Sequence, residues 1–207
     1  MIRHLRLDRS GASAAEFALV LPLLLLFLFG IIDSGRFLWE TNRAEKATQM
    51  GARVLAVTDT ISAGLAAHSY IGDTSGGSAL TQGDLIPAAA LGTVRCRSVS
   101  GSVTCDCEVA PCPSPLTPIN NSGFNLMLTR MRGVKPDISA ANVTVRYRGS
   151  GLGYAGDPNG MDIAPLVTVE LANLQFRPVT GLMLATMTLP AFRTTLTAED
   201  SEGSQSN

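Results

Sequence analysis

The sequence predicts an α+β fold: a long N-terminal transmembrane helix continuing as an amphipathic helix packed on a small antiparallel sheet. Three features carry that prediction. Residues 12–32 contain a single charge, the following two dozen residues keep apolar positions three and four apart, and from Gly92 onward short runs alternate apolar and polar residues between turn formers.

The first element begins behind a basic leader, residues 1–11, in which Arg3, Arg6 and Arg9 face one acid, Asp8. Phe17 to Ile32 is free of charge, and counted from Ala12 the run is 21 residues long. About 20 apolar residues suffice for a helix to cross a bilayer. A cleaved secretory signal is the competing reading of a basic segment before an apolar one. The run is long for that, and it lacks a small-x-small site followed by polar mature sequence. Instead FGIIDSGRFLWETNRAEKATQMGARVLA continues a helical pattern, so residues 12–32 are read as a retained span. The arginine excess before it keeps the N-terminus cytoplasmic and sends the C-terminal bulk across. This makes the chain a single-pass membrane protein.

Residues 33–57 extend the helix. Ala44, Ala47, Gly51, Val54 and Leu55 share one face, while Glu45, Lys46, Gln49 and Arg53 point away. Small residues on that stripe let another element approach closely. One helix is expected from about Ala14 to about Val57.

An extracytoplasmic α+β domain is expected over residues 58–198. TDTISAGLAAHSY offers a short second helix, and GDTSGGSALTQGD reads as a polar, glycine-rich loop. LGTVRCRSVSGSVTCDCEVAPC alternates around Ser100-Gly101, a two-residue hairpin turn. NVTVRYR (142–148) and LVTVELANLQF (166–176) are the next strands, joined by GSGLGYAGDPNGMDIAP. LMLATMTLPAFRTTLT (182–197) supplies a last strand or two, with Pro190 tolerated at an edge. The polar tail, residues 199–207, is expected to be disordered.

Four cysteines lie within a short stretch of the first hairpin: Cys96, Cys105, Cys107 and Cys112. With the turn at Ser100-Gly101, 99 faces 102, 98 faces 103 and 97 faces 104. Cys96 then stands opposite Cys105, with β-carbons close enough to bridge. Of the three possible connectivities this register selects Cys96 with Cys105 and Cys107 with Cys112. Zinc is the alternative, but the spacing C-x8-C-x-C-x4-C lacks two-residue knuckles, and the expected topology puts these thiols in an oxidising compartment. No metal is assigned.

The chemistry is otherwise sparse. Net charge is −1 from 16 basic and 17 acidic residues, with no basic block past the leader, which argues against a nucleic-acid partner. The two histidines, His4 and His68, fall on opposite sides of the predicted span. His68 has no G-x-S-x-G or comparable context and reads as a loop residue. Asp157-Pro-Asn-Gly followed by Asp162 spaces oxygen donors as a calcium loop does, without the terminal glutamate, and is equally a plain turn. Asn142-Val143-Thr144 fits a glycosylation acceptor. No constellation of nucleophile, base and oxyanion donors assembles, so the chain is read as a non-enzyme without cofactor.

One residue resists this account. Glu16 sits inside the apolar helix, where a carboxylate costs about 2.5 to 3.5 kcal/mol at mid-bilayer and less near the interface. In the first helical turn the dipole favours an acid, which is the plain explanation. Its setting, G-A-S-A-A-E-F behind a basic leader, resembles the processing site of the type IV pilin superfamily, in particular its tight-adherence (Flp) branch. EFALVLPLLLLFLFGIIDSGR with Ala44, Ala47, Gly51, Ala52 and Arg53 resembles the TadE-like family, the pseudopilins of that apparatus. Gly11 to about Leu55 carries the likeness, through Glu16, Phe17, Pro22, Gly30, Gly35, Arg36, Ala44 and Arg53.

The resemblance implies that a prepilin peptidase cuts between Gly11 and Ala12 on the cytoplasmic side of a bacterial inner membrane. Glu16 and Phe17 then fall near the new N-terminus, and Glu16 neutralises the α-amine of a neighbouring pilin or pseudopilin. It implies a non-catalytic, minor pilin-like role in pilus biogenesis. The alternative is a membrane-anchored extracytoplasmic binding or cell-envelope protein that retains its leader and does not polymerise.

Overall fold

The computed structural model describes residues 10–74, 77–158, 160–179 and 186–198. The leader up to residue 9 with His4, residues 75–76, Asn159, residues 180–185 and the tail from 199 lie outside the described residues. The helix α1 runs unbroken over Ser10–Ala56 with Pro22 inside it. It is followed by α2 (Ala63–Ala66), β1 (Thr93–Val99), β2 (Ser102–Val109), α3 (Asn121–Val134), β3 (Val143–Arg148), β4 (Leu166–Leu171), β5 (Gln175–Phe176), β6 (Met187–Thr188) and β7 (Phe192–Thr197). The chain divides into two compact units: residues to Thr41 with Gln175–Thr188, and Asn42–Leu174 with Leu189 onward.

The larger unit is the expected layer of helix on antiparallel sheet. Five strands pair in the order β2-β1-β3-β4-β7. Val94 and Cys96 from β1, Val143, Val145 and Tyr147 from β3, and Val167, Val169 and Leu171 from β4 point to one side and are buried. From α1, Ala44, Ala47, Gly51, Ala52, Val54 and Leu55 are buried, while Glu45, Lys46, Gln49 and Arg53 are exposed. Gly51 marks the closest approach: a Cβ there would lie 2.8 Å from Met131 Sδ and 3.3 Å from Val169 Cγ1. The Thr48 and Thr194 hydroxyls, 2.9 Å apart, tie the same helix to β7.

No expectation above covers α3, although Phe124, Met127, Leu128 and Met131 follow the helical period and are all buried. Its start is capped by the Asn120 side chain, which accepts the Gly123 N–H at 3.0 Å. At its other end Arg43 of α1 donates to the Val134 carbonyl through Nε at 3.0 Å and Nη2 at 2.9 Å. A cation there satisfies an orphan carbonyl and complements the helix dipole.

The first hairpin turns at Ser100 (φ 50) and Gly101 (φ 85). Two central residues at positive φ make the turn whose twist suits adjoining strands. Its register sets Val99 against Ser102 and Cys96 against Cys105, and the sulfurs join Cys96 to Cys105 and Cys107 to Cys112.

One strand expectation is corrected. The run 166–176 does not form one strand: β4 ends at Leu171, the chain bends with Asn173 at φ 59, and Gln175–Phe176 pairs with Met187–Thr188 in a separate two-stranded sheet. The Asn142 side-chain amide holds the bend by donating to the Ala172 and Asn173 carbonyls at 3.0 and 3.3 Å. That nitrogen is thereby engaged in structure, against the glycosylation reading. Pro190 lies between β6 and β7, in neither strand.

The sheet face away from the helices carries a charge relay. Arg95 and Arg146 stand directly opposite each other on β1 and β3, a repulsive pairing. Glu108 resolves it by accepting from Arg95 at 3.1 Å and Arg146 at 2.7 Å. Asp106 adds a bond to Arg95 at 2.6 Å, and Glu170 joins Arg146 to Arg193. The hydrogen bond from Arg146, more than the neighbouring charge, holds the Glu108 carboxyl below its usual range. The same bond raises the Arg146 guanidinium.

Candidate functional site

The apolar half of α1 is the candidate site, and it is presented bare. From Ser13 to Ile32 no residue is buried by the protein's own structure. Phe17, Leu19, Leu23 and Phe27 are each about two-thirds exposed or more (63, 80, 70 and 69 %). A soluble helix with this composition would bury it. It is the one described helix long and apolar enough to cross a membrane.

Gly11 and Ala12 lie in the first turns of α1, where only the backbone is described. Glu16 follows one turn later on the exposed surface, beside Phe17, and has no ion-pair partner among the described residues. The helix thus places the acid and the two expected processing positions within two turns.

Directly after the apolar run, Asp33 forms a polar clamp that the sequence reading passes over. It is 9 % exposed and accepts the Val179 N–H at 2.9 Å and the Arg36 guanidinium at 3.2 Å. Arg36 also reaches the Arg177 carbonyl at 3.5 Å and lies 5.6 Å from the centre of the Phe176 ring. Phe37 meets that ring edge-on at 5.5 Å. The available signal was an acid immediately following Ile32, which needs a partner at a membrane boundary.

Residues 11–53 match the family model described as TadE-like protein. The TadE-like segment begins at Gly11 and ends at Arg53, so it takes in the bare apolar run, the clamp acid and most of the stripe buried against the sheet. No curated protein and no solved structure matches the chain.

Elsewhere the polar clusters of the larger unit serve the fold. Asp162, 6 % exposed, accepts the Tyr70 N–H with one oxygen at 2.8 Å and the Asp157 N–H with the other at 3.1 Å. Both carboxylate oxygens brace backbone, which accounts for this acid without a cation. His68 Nε2 stands 3.0 Å from Asp73 Oδ2, and its ring packs edge-on against Tyr70 at 4.6 Å. The four cysteines are consumed in the two bridges.

Proposed function

We propose that this chain is a minor pilin-like subunit in the biogenesis of tight-adherence pili, with a structural rather than catalytic role. The observation that carries the reading is the coincidence of the TadE-like match over residues 11–53 with a helix whose apolar side chains are bare from Ser13 to Ile32. In this reading the helix spans the inner membrane with its N-terminus in the cytoplasm. A prepilin peptidase removes the leader between Gly11 and Ala12, and other pilin or pseudopilin subunits are the partners.

Glu16 supplies the assembly preference. A carboxylate inside a bilayer is costly when unpaired, and an α-amine created at Ala12 of a neighbouring copy or sister subunit would neutralise it. The isolated subunit bears the penalty, and the bundle relieves it.

Mass spectrometry of the protein from its native membrane tests the processing step, with a mature N-terminus at Ala12 as the expected result. An intact leader, with no association with fibres, would favour an anchored envelope protein instead. Glu16→Gln tests the assembly step: fibre formation falls while the membrane-inserted amount of the protein stays constant. Unchanged fibres in cells that build them would remove the role given to Glu16.

A further inference from the structure

We propose that the β5–β6 strand pair, through Phe176, Arg177, Val179 and Met187, is a second membrane contact, docked in the lipid headgroup layer beside the exit of the spanning helix. The inference rests on the reading of α1 as a span and adds a lipid-facing surface that the span does not include.

Helical rise fixes the depth. Residues 12–32 at about 1.5 Å each cover about 30 Å, which is the thickness of a bilayer's hydrocarbon core. Asp33, Arg36 and Phe37 therefore occupy the next ~6 Å along the axis, within the headgroup layer. Among the described residues, those three hold the base of the strand pair. Asp33 takes the Val179 N–H, Arg36 reaches the Arg177 carbonyl and the Phe176 ring, and Phe37 packs on Phe176. The hairpin base is thus pinned at the depth where the helix leaves the hydrocarbon.

The chemistry presented there suits lipid. Val179 is 66 % exposed and Met187 45 %, two apolar side chains left uncovered on the pinned element. Arg177 is exposed between Phe176 and Val179, and Arg36 is on the helix beside it, an arrangement in which apolar groups enter lipid while guanidinium groups meet phosphate. Trp39, 65 % exposed, stands on the adjoining turn, at the level where tryptophan rings gather at membrane surfaces. Asp33 would be expensive at this boundary if it were bare. The Val179 N–H and the Arg36 guanidinium offset that cost, and the first of them comes from the hairpin.

The test uses the full chain in phosphatidylcholine–phosphatidylglycerol vesicles. The native cysteines are all paired, so Val179→Cys, Met187→Cys or Leu24→Cys introduces one reactive thiol for an environment-sensitive dye. Emission at 179 and 187 should shift to the blue and be lost when the lipids carry bromine near the headgroup, with position 24 quenched by deeper bromines. Quenching at 24, with 179 and 187 unaffected by bromine yet open to aqueous iodide, would overturn the hairpin contact and leave the span intact. Protection of 179 and 187 from both quenchers would assign the surface to another protein copy and also overturn it. Absence of quenching at 24 would remove the span itself, and the hairpin contact with it.

Discussion

Replacing Tyr147 by phenylalanine removes one oxygen from the sheet core and makes two separable predictions. Tyr147 is fully buried, and its hydroxyl accepts the N–H of Ile61, itself fully buried, at 3.0 Å. Phenylalanine keeps the ring packing but strands that N–H, at a cost of about 1 to 3 kcal/mol. The second prediction concerns alkali. Burial raises the Tyr147 hydroxyl far above its ordinary value, against the smaller opposing pull of the Ile61 N–H. Tyr70 is raised in the same direction by burial first, then by Asp73 and Asp162.

In the folded state both phenols keep their protons to higher pH, whereas the unfolded chain releases them near ~10. The stability they contribute is therefore complete below about pH 10 and is lost as pH rises toward the folded values. Each group contributes a slope of ~1.4 kcal/mol per pH unit, and the two together ~2.7. Tyr147→Phe should lower stability at neutral pH and reduce the alkaline slope to about half. Guanidinium unfolding of the full chain in detergent, followed by far-UV circular dichroism from about pH 8 to about pH 11, measures both quantities. A variant within ~0.5 kcal/mol of the parent and with an unchanged slope would refute the assignment of a buried hydrogen-bonded phenol to this position.

Other expectations follow from single contacts. Met131→Ala removes the side chain that meets Gly51 between α3 and α1, and should cost roughly 2 to 5 kcal/mol in the same unfolding assay. Glu108→Gln leaves Arg95 and Arg146 facing each other with weaker mediation, a loss of about 1 kcal/mol. Because the Arg146 hydrogen bond lowers the Glu108 carboxyl, its contribution is present above the ordinary carboxylate range and lost as pH falls, so the variant should show a flatter acid limb. Substituting Cys96 and Cys105 together by serine opens a bridge of sequence separation 9 and should cost ~2 to 3 kcal/mol by loop entropy. Asp33→Ala should speed hydrogen exchange at the Val179 amide, which loses its acceptor.

Periodicity made most of the architecture legible. The helix–sheet layer, the buried stripe from Ala44 to Leu55, the Ser100-Gly101 turn and the opposition of Cys96 to Cys105 all follow from side-chain repeats of 3.6 or 2 and from turn chemistry. The end of β4 was marked only by Asn173, a turn former that breaks the alternation of Val167, Val169 and Leu171. The bend is imposed by the amide of Asn142, 30 residues earlier. The helix α3 was legible in Phe124, Met127, Leu128 and Met131, but its few apolar residues are spaced among polar ones in a stretch opened by prolines. Of the candidate site, composition revealed the bare apolar helix and the oddity of Glu16. The clamp on Asp33 depends on Phe176 and Val179, more than 140 residues away, and no local repeat announces such a partner.

Both disulfides terminate on β2: one ties its middle to β1, the other folds the chain after its end back upon it. Redox state thus governs how one outer strand is held to β1, and leaves β3, β4 and β7 without a covalent tie. A copy stranded among reductants would keep most of its sheet yet loosen the strand that shields β1, exposing a row of unpaired amides to proteases and to other chains. Limited digestion with and without reductant should then place the new cuts between residues 100 and 113. Such a chain would carry its own record of whether it had reached an oxidising space.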